Sequence, residues 1–208
     1  FSEIREENYL YLDKTALVHQ LITCGKNYFL SRPRRFGKSL LLSTMNELYR
    51  GNRELFEGLW IDNHWDWEGM QRPVIWLKFS SQGIRTMGLE AGLDAMLNGE
   101  ANRLGIQLEK ATFDLQFKEL IQKASKKNKV VLLIDEYDKP IIDYLDDPQV
   151  AEAHREILKS FYSILKDSDP YLELIFITGV SAFSKVSIFS DLNNLYNLSL
   201  VAAARTLL

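Results

Sequence analysis

A three-layer α/β sandwich, with a mainly parallel sheet of about five strands and helices on both faces, is the fold class this sequence predicts. Three observations predict it. Short apolar runs alternate with amphipathic stretches along the whole chain. The central runs, VVLLI at 130–134 above all, are continuous rather than alternating, as parallel strands covered on both faces require. Polar motifs follow directly on the ends of these runs, where open parallel sheets collect their ligands.

The elements follow in order. YLYLDKTALVHQLITCG carries Leu17, Val18, Leu21 and Ile22 at helical spacing, and Gly25 stops that helix. NYFLS reads as a short buried strand. From Lys38 a second helix places Leu41, Met45 and Leu48 on one face and ends at Gly51. PVIWLKFSS, Pro73 to Ser81, is the second strand. Amphipathic stretches around Leu89–Leu104 and Phe113–Ala124 precede the third strand, Val130–Ile134, which runs into two carboxylates. A helix over Ala151–Lys166 leads to the fourth strand, YLELIFITGVS, and NLYNLSL supplies a short fifth.

Composition narrows the function. The 208 residues carry a formal charge of −3, so nucleic-acid binding would need a local patch rather than a global field. Cys24 is the single cysteine, which excludes a disulfide framework and a thiolate zinc site. His19, His64 and His154 are too scattered to ligate a metal by spacing. No apolar run approaches the ~20 residues of a membrane helix, and the amino terminus lacks a signal-peptide layout. A reduced, cytoplasmic setting without membrane contact is the expectation.

YFLSRPRRFGKSLLLSTM holds the first chemical motif. Gly37, Lys38 and Ser39 between a strand and a helix have the identities of a phosphate-binding loop. There the backbone N–H groups and the helix N-terminus cradle phosphate, the lysine reaches the β- and γ-phosphates, and the hydroxyl takes a Mg²⁺ position. Alone, such a triplet would arise by chance in about one chain in ten of this length; the flanking strand and helix argue against chance. Arg32 stands where the first glycine is expected, and Pro33 pushes it toward an extended conformation. Arg34 and Arg35 bring charge to the phosphates or to a partner, or else point to solvent. Phe36 and Leu40 complete the candidate nucleotide-binding stretch.

Asp135-Glu136 is the second constellation. A strand-tip aspartate can hold Mg²⁺ opposite the Ser39 hydroxyl, and the following glutamate can polarise the attacking water. Thr178, at the end of the fourth strand, is a candidate to sense the γ-phosphate. The other reading is a turn or cap hydroxyl, and Ser181 competes for the same role. KASKKNK (123–129), the aspartates 138, 143, 146 and 147, and the tryptophans Trp65 and Trp67 read as solvated faces or core edge rather than as sites.

At this point YLDKTALVHQLITCGKNYFLSRPRRFGKSLLLSTM, VVLLIDEYDKPI and FITGVSAFSKVSIFSDLNNLYNLSL together resemble the AAA-ATPase-like family of bacterial P-loop proteins. RPRRFGKS is similar to that family's own form of the loop, so the absent glycine reads as a family trait. The resemblance covers roughly residues 1–200 and implies one P-loop NTPase domain with Walker A and Walker B motifs. It implies ATP at Gly37, Lys38 and Ser39, Mg²⁺ near Ser39 and Asp135, and Glu136 as the base. It also implies an additional strand between the loop strand and the carboxylate strand, which PVIWLKF would supply. Such proteins typically continue into a nuclease-like domain of the PD-(D/E)xK kind, the expected route to nucleic acid, and this chain stops before it and before the helical lid. Residues 201–208 read as an atypical tail, foreign or misassigned.

The expected function is Mg²⁺-dependent ATP binding with hydrolysis that energises or controls an attached effector. A slow nucleotide-dependent switch and a nucleic-acid-binding fragment using Arg32, Arg34, Arg35 and the lysine run are the alternatives. A nucleotide and further copies of the chain are the expected partners.

Overall fold

The computed structural model describes residues 1–80, 83–181, 188–189, 192 and 194–200. The atypical tail and Ser81 lie outside them. Among the described residues five strands form one parallel sheet: β1 (Asn27–Ser31), β2 (Val74–Lys78), β3 (Val130–Asp135), β4 (Leu172–Gly179) and β5 (Tyr196–Asn197). Their spatial order is β2-β3-β4-β1-β5. Because all strands run the same way, their carboxyl ends share one edge of the sheet.

The helices are α1 (Ser2–Glu6), α2 (Thr15–Cys24), α3 (Lys38–Arg50), α4 (Ile84–Met87), α5 (Leu89–Arg103), α6 (Phe113–Ala124), α7 (Lys139–Ile142) and α8 (Pro148–Asp167). Gly51 ends α3 in the left-handed conformation at φ 78°, where a side chain would strain the backbone.

Alternate residues of β1, β2, β3 and β4 enter different cores. Phe29, Ile75, Leu132, Ile134, Ile175 and Ile177 join the side chains of α5, α6 and α8. Tyr28, Leu30, Val131, Leu133, Leu174 and Phe176 pack with α3 and the segment around Phe56 and Trp65. All of β3 is buried, which explains its unbroken apolar run.

One expectation is corrected. The strand lying between the loop strand and the carboxylate strand in space is β4, not Val74–Lys78. β2 intervenes only in sequence and takes the outer edge beside β3. The more apolar run, LELIFITG, takes the doubly covered position. The second strand is also shorter than Pro73–Ser81, although the Phe79 N–H still reaches the Asp135 carbonyl at 3.2 Å.

The edge position of β2 is covered. The Trp76 N–H donates to Glu100 Oε2 at 2.9 Å, and Arg103, paired with the same Glu100, donates to the Val74 carbonyl. Side chains of α5 thus take two backbone groups of an edge that would otherwise invite another strand.

Candidate nucleotide site

The turn after β1 is built without the first glycine. Arg32 continues the ladder, its N–H donating to the Gly179 carbonyl at 3.2 Å. Its guanidinium donates to the carbonyls of Ser31 at 3.0 Å and Ser199 at 3.2 Å, pinning the start of the turn to the segment after β5. Left-handed backbone falls instead on Arg35 (φ 67°) and Gly37 (φ 77°). For arginine this is a strained conformation, of the kind held at ligand-binding turns.

Lys38 opens α3 and is only 5% exposed. Its Nζ donates to the Arg32 and Pro33 carbonyls, both at 2.9 Å, so the lysine folds back and closes the turn. Burial lowers its pKa, opposed by the charges of Asp135, Glu136 and Asp138 in that order. Lys38 therefore shares an electrostatic neighbourhood with the carboxylates that end β3. Arg34, Arg35 and Ser39 are exposed, Leu40 is half-buried, and Phe36 is 53% exposed. A Cβ added to Gly37 would meet nothing within 4 Å, which leaves the backbone there open to a close approach.

The carboxylate turn is buried and braced. Thr178, fully buried, donates to Asp135 Oδ1 at 2.6 Å and accepts the Glu136 N–H at 3.3 Å. Of the two hydroxyls weighed at the end of β4, Thr178 is therefore the one that touches Asp135. Glu136 is half-buried and held at φ 56°, a second strained position. Tyr137 donates its N–H to the Thr178 carbonyl at 3.0 Å and its hydroxyl to the Ser181 carbonyl at 3.0 Å. Asp138 Oδ2 accepts the N–H groups of Val180 at 3.0 Å and Ser181 at 2.7 Å. Burial raises the Asp138 pKa even though these backbone donors pull it down.

Gly179 makes that brace possible. A Cβ there would stand 2.4 Å from Tyr137 Cε1 and 3.0 Å from Asp138 Oδ1. The aspartates of the acidic run have separate duties. Asp143 pairs with Lys139 at 2.8 Å, and Asp147 caps α8 by accepting from Val150. Trp65 is core and Trp67 packs against it, so neither presents a free stacking face.

Sequence reasoning missed one part. The segment before α2 returns to the phosphate turn and leaves a cavity of about 220 Å³ beside Gly37. Leu10, Tyr11, Leu12 and Lys14 line it from one side, and Leu40, Leu41 and Thr44 from the other. The segment around α1 is tied to the core by Arg5, which donates to the Leu55 carbonyl at 2.8 Å. The sequence signal was present in Leu10 and Leu12, apolar residues outside any helical pattern, which stay exposed in the fold.

No helix among the described residues is long and apolar enough to cross a membrane. Residues 1–189 match the family described as Predicted AAA-ATPase. The chain is also 45% identical over 203 residues to the "Uncharacterized protein in vnfD 5'region" of Azotobacter chroococcum mcd 1. That match covers 96% of this chain and 39% of the relative, so the chain spans well under half of the relative's length. The chain belongs to the predicted AAA-ATPase family.

Proposed function

We propose that this member of the predicted AAA-ATPase family binds ATP with Mg²⁺ at the turn from Arg34 to Leu40, hydrolyses it, and uses the cycle to drive or control an attached effector. The observation that carries the reading is Lys38. It is a buried cation at the start of α3, held by two loop carbonyls and facing Asp135 and Glu136 across the carboxyl edge of the sheet. Residues 1–200 act as the nucleotide-binding unit.

On binding, Lys38 exchanges the Arg32 and Pro33 carbonyls for the β- and γ-phosphate oxygens, and the N–H groups that open α3 face the same phosphates. The apolar cavity beside Gly37 suits the base. Arg34 and Arg35 add positive charge at the mouth of the turn.

Ser39 and Asp135 are the residues that would hold Mg²⁺, which would supply positive charge against the developing charge on the phosphates. The donor chemistry fits, since Mg²⁺ prefers hard oxygen ligands and one or two carboxylates beside phosphate and water. Among the described residues no cluster of three or more His, Cys, Asp and Glu offers an all-protein cage instead. Thr178 fixes Asp135 and the Glu136 backbone. Glu136 takes a proton from the attacking water as the bond to the leaving ADP oxygen breaks.

The test is calorimetry of ATP with Mg²⁺ on wild type, Lys38→Ala and Glu136→Gln, followed by a phosphate-release assay. Lys38→Ala should abolish measurable binding, while Glu136→Gln should bind within about threefold of wild type and lose turnover by about 10²-fold or more. Unchanged binding by folded Lys38→Ala would refute the site, and equal turnover by Glu136→Gln would remove the glutamate from its role. A second reading, a slow switch with little turnover, is favoured by the two carbonyl bonds to Arg32 and Pro33 that Lys38 must give up before it can hold phosphate. Tight binding with negligible phosphate release in a full-length protein would select it.

A further inference from the structure

The lysine run at 123–129 reads in sequence as a solvated helix end, but the fold gives it company. Lys123, Lys126 and Lys127 line one groove of about 610 Å³ together with Arg50, Arg72 and Arg103. These six cations come from α3, the segment before β2, α5, α6 and the loop after it. None of the described residues lining the groove is acidic, although the chain as a whole carries −3.

The groove is not part of the nucleotide site. Pro73, Val74 and Asn128 line it, and they lie at the starts of β2 and β3. Lys38 and Asp135 sit where parallel strands end, so the groove occupies the opposite edge of the sheet.

Its cations divide into two kinds. Arg72, Arg103 and Lys123 are fixed. Arg72 donates to the Gly69 and Gln71 carbonyls at 2.8 Å and meets Glu173 at 4.0 Å, Arg103 pairs with Glu100 at 2.6 Å, and Lys123 pairs with Glu119 at 2.8 Å and Glu109 at 3.1 Å. Their carboxylate partners stand outside the groove lining. Among the described residues Lys126 and Lys127 have no carboxylate partner, and Arg50 meets Glu47 only at 3.7 Å while its side chain stays 50% exposed. The paired cations hold the shape of the groove, and the exposed Lys126, Lys127 and Arg50 are the charges it presents to an anion.

We propose that this groove binds the sugar–phosphate backbone of a nucleic acid strand, independently of the nucleotide. A backbone delivers one charge per residue along its length, which matches cations spread over five segments of chain. The exposed Arg50 fork suits phosphate oxygens, and the Gln71 and Asn128 amides in the same groove suit neutral backbone oxygens.

The experiment is fluorescence anisotropy of the 208-residue chain with a labelled oligonucleotide, single-stranded and duplex, at salt from about 50 to about 200 mM. Lys126→Glu/Lys127→Glu is the first variant, chosen because neither lysine has a carboxylate partner to lose among the described residues, and adding Arg50→Glu makes the second. Wild type should bind with a negative salt slope. The double variant should weaken binding by about tenfold or more, and the triple variant should reduce the slope by about 2–3. Arg34→Glu/Arg35→Glu and saturating ATP should each leave binding within about twofold, which separates this groove from the nucleotide site. Thermal melts establish that each variant is folded. The proposal is overturned by undetectable binding at about 50 mM salt, by unchanged binding of the double variant, by displacement with ATP, or by equal competition from polyglutamate.

Discussion

The turn after β1 and the turn after β3 meet at the same sheet edge, yet they are built in opposite ways. The first is exposed from Pro33 to Gly37 and closes on itself through Lys38 and two carbonyls. The second is buried and tied to a different strand, with Thr178, Val180 and Ser181 bonded to Asp135, Glu136, Tyr137 and Asp138. One turn can trade its internal bonds for a ligand's, whereas the other holds its geometry whether or not a ligand is present. Positive φ at Arg35 and Glu136 shows strain in both, but only the second is over-determined by its surroundings.

Gly37 in the first turn and Gly179, packed against the second from the end of β4, give the sharpest way to break this contrast. Gly179→Ala should cost the most stability, about 1–3 kcal/mol, because the new Cβ collides with a buried tyrosine ring. Gly37→Ala meets no atom and strains only the backbone, at about 1 kcal/mol. Its main effect should be on ATP affinity. Paired melts and titrations check both, and equal stability losses would mean that the two turns are braced alike.

Thr178→Val comes next in size. Removing the hydroxyl leaves Asp135 Oδ1 and the Glu136 N–H unpaired, at about 1–3 kcal/mol. Turnover should fall more than ATP affinity does, a split read from steady-state kinetics beside calorimetry. A change in affinity alone would place Thr178 in the binding of ground-state nucleotide.

Asp138 offers the smallest effect, and its sign is specific. Burial holds its folded pKa above the ordinary 3.8. Between those two values the folded state binds more protons than the unfolded state, so this group makes stability fall as pH rises through the window. Relative to wild type, Asp138→Asn should therefore lose stability as pH is lowered through that window. Chemical denaturation across that range checks it; a flat difference would mean that Asp138 titrates alike in both states.

Much of this was legible in the residues. The unbroken apolar run of β3 announced a strand covered on both faces, and Gly25 and Gly51 marked helix ends, since local backbone preference and burial periodicity act over a few residues. Lys38, Ser39, Asp135 and Glu136 stood out because their chemistry depends on short-range spacing. What the sequence left open depended on contacts between distant segments. Thr178 and Ser181 were equivalent as hydroxyls until β4 took its place between β1 and β3, bringing Thr178 to Asp135. The apolar cavity of Tyr11 and Leu12 beside Gly37, and the meeting of Lys126 and Lys127 with Arg50, Arg72 and Arg103, have no local signature. The sequence by itself determined the elements, the alternation of their buried faces and the chemistry at the strand ends. Only the tertiary structure decided which strand became the edge, which hydroxyl reached the carboxylate and which cations shared a groove. Those choices follow from packing both faces of one sheet, a constraint that no short window of residues contains.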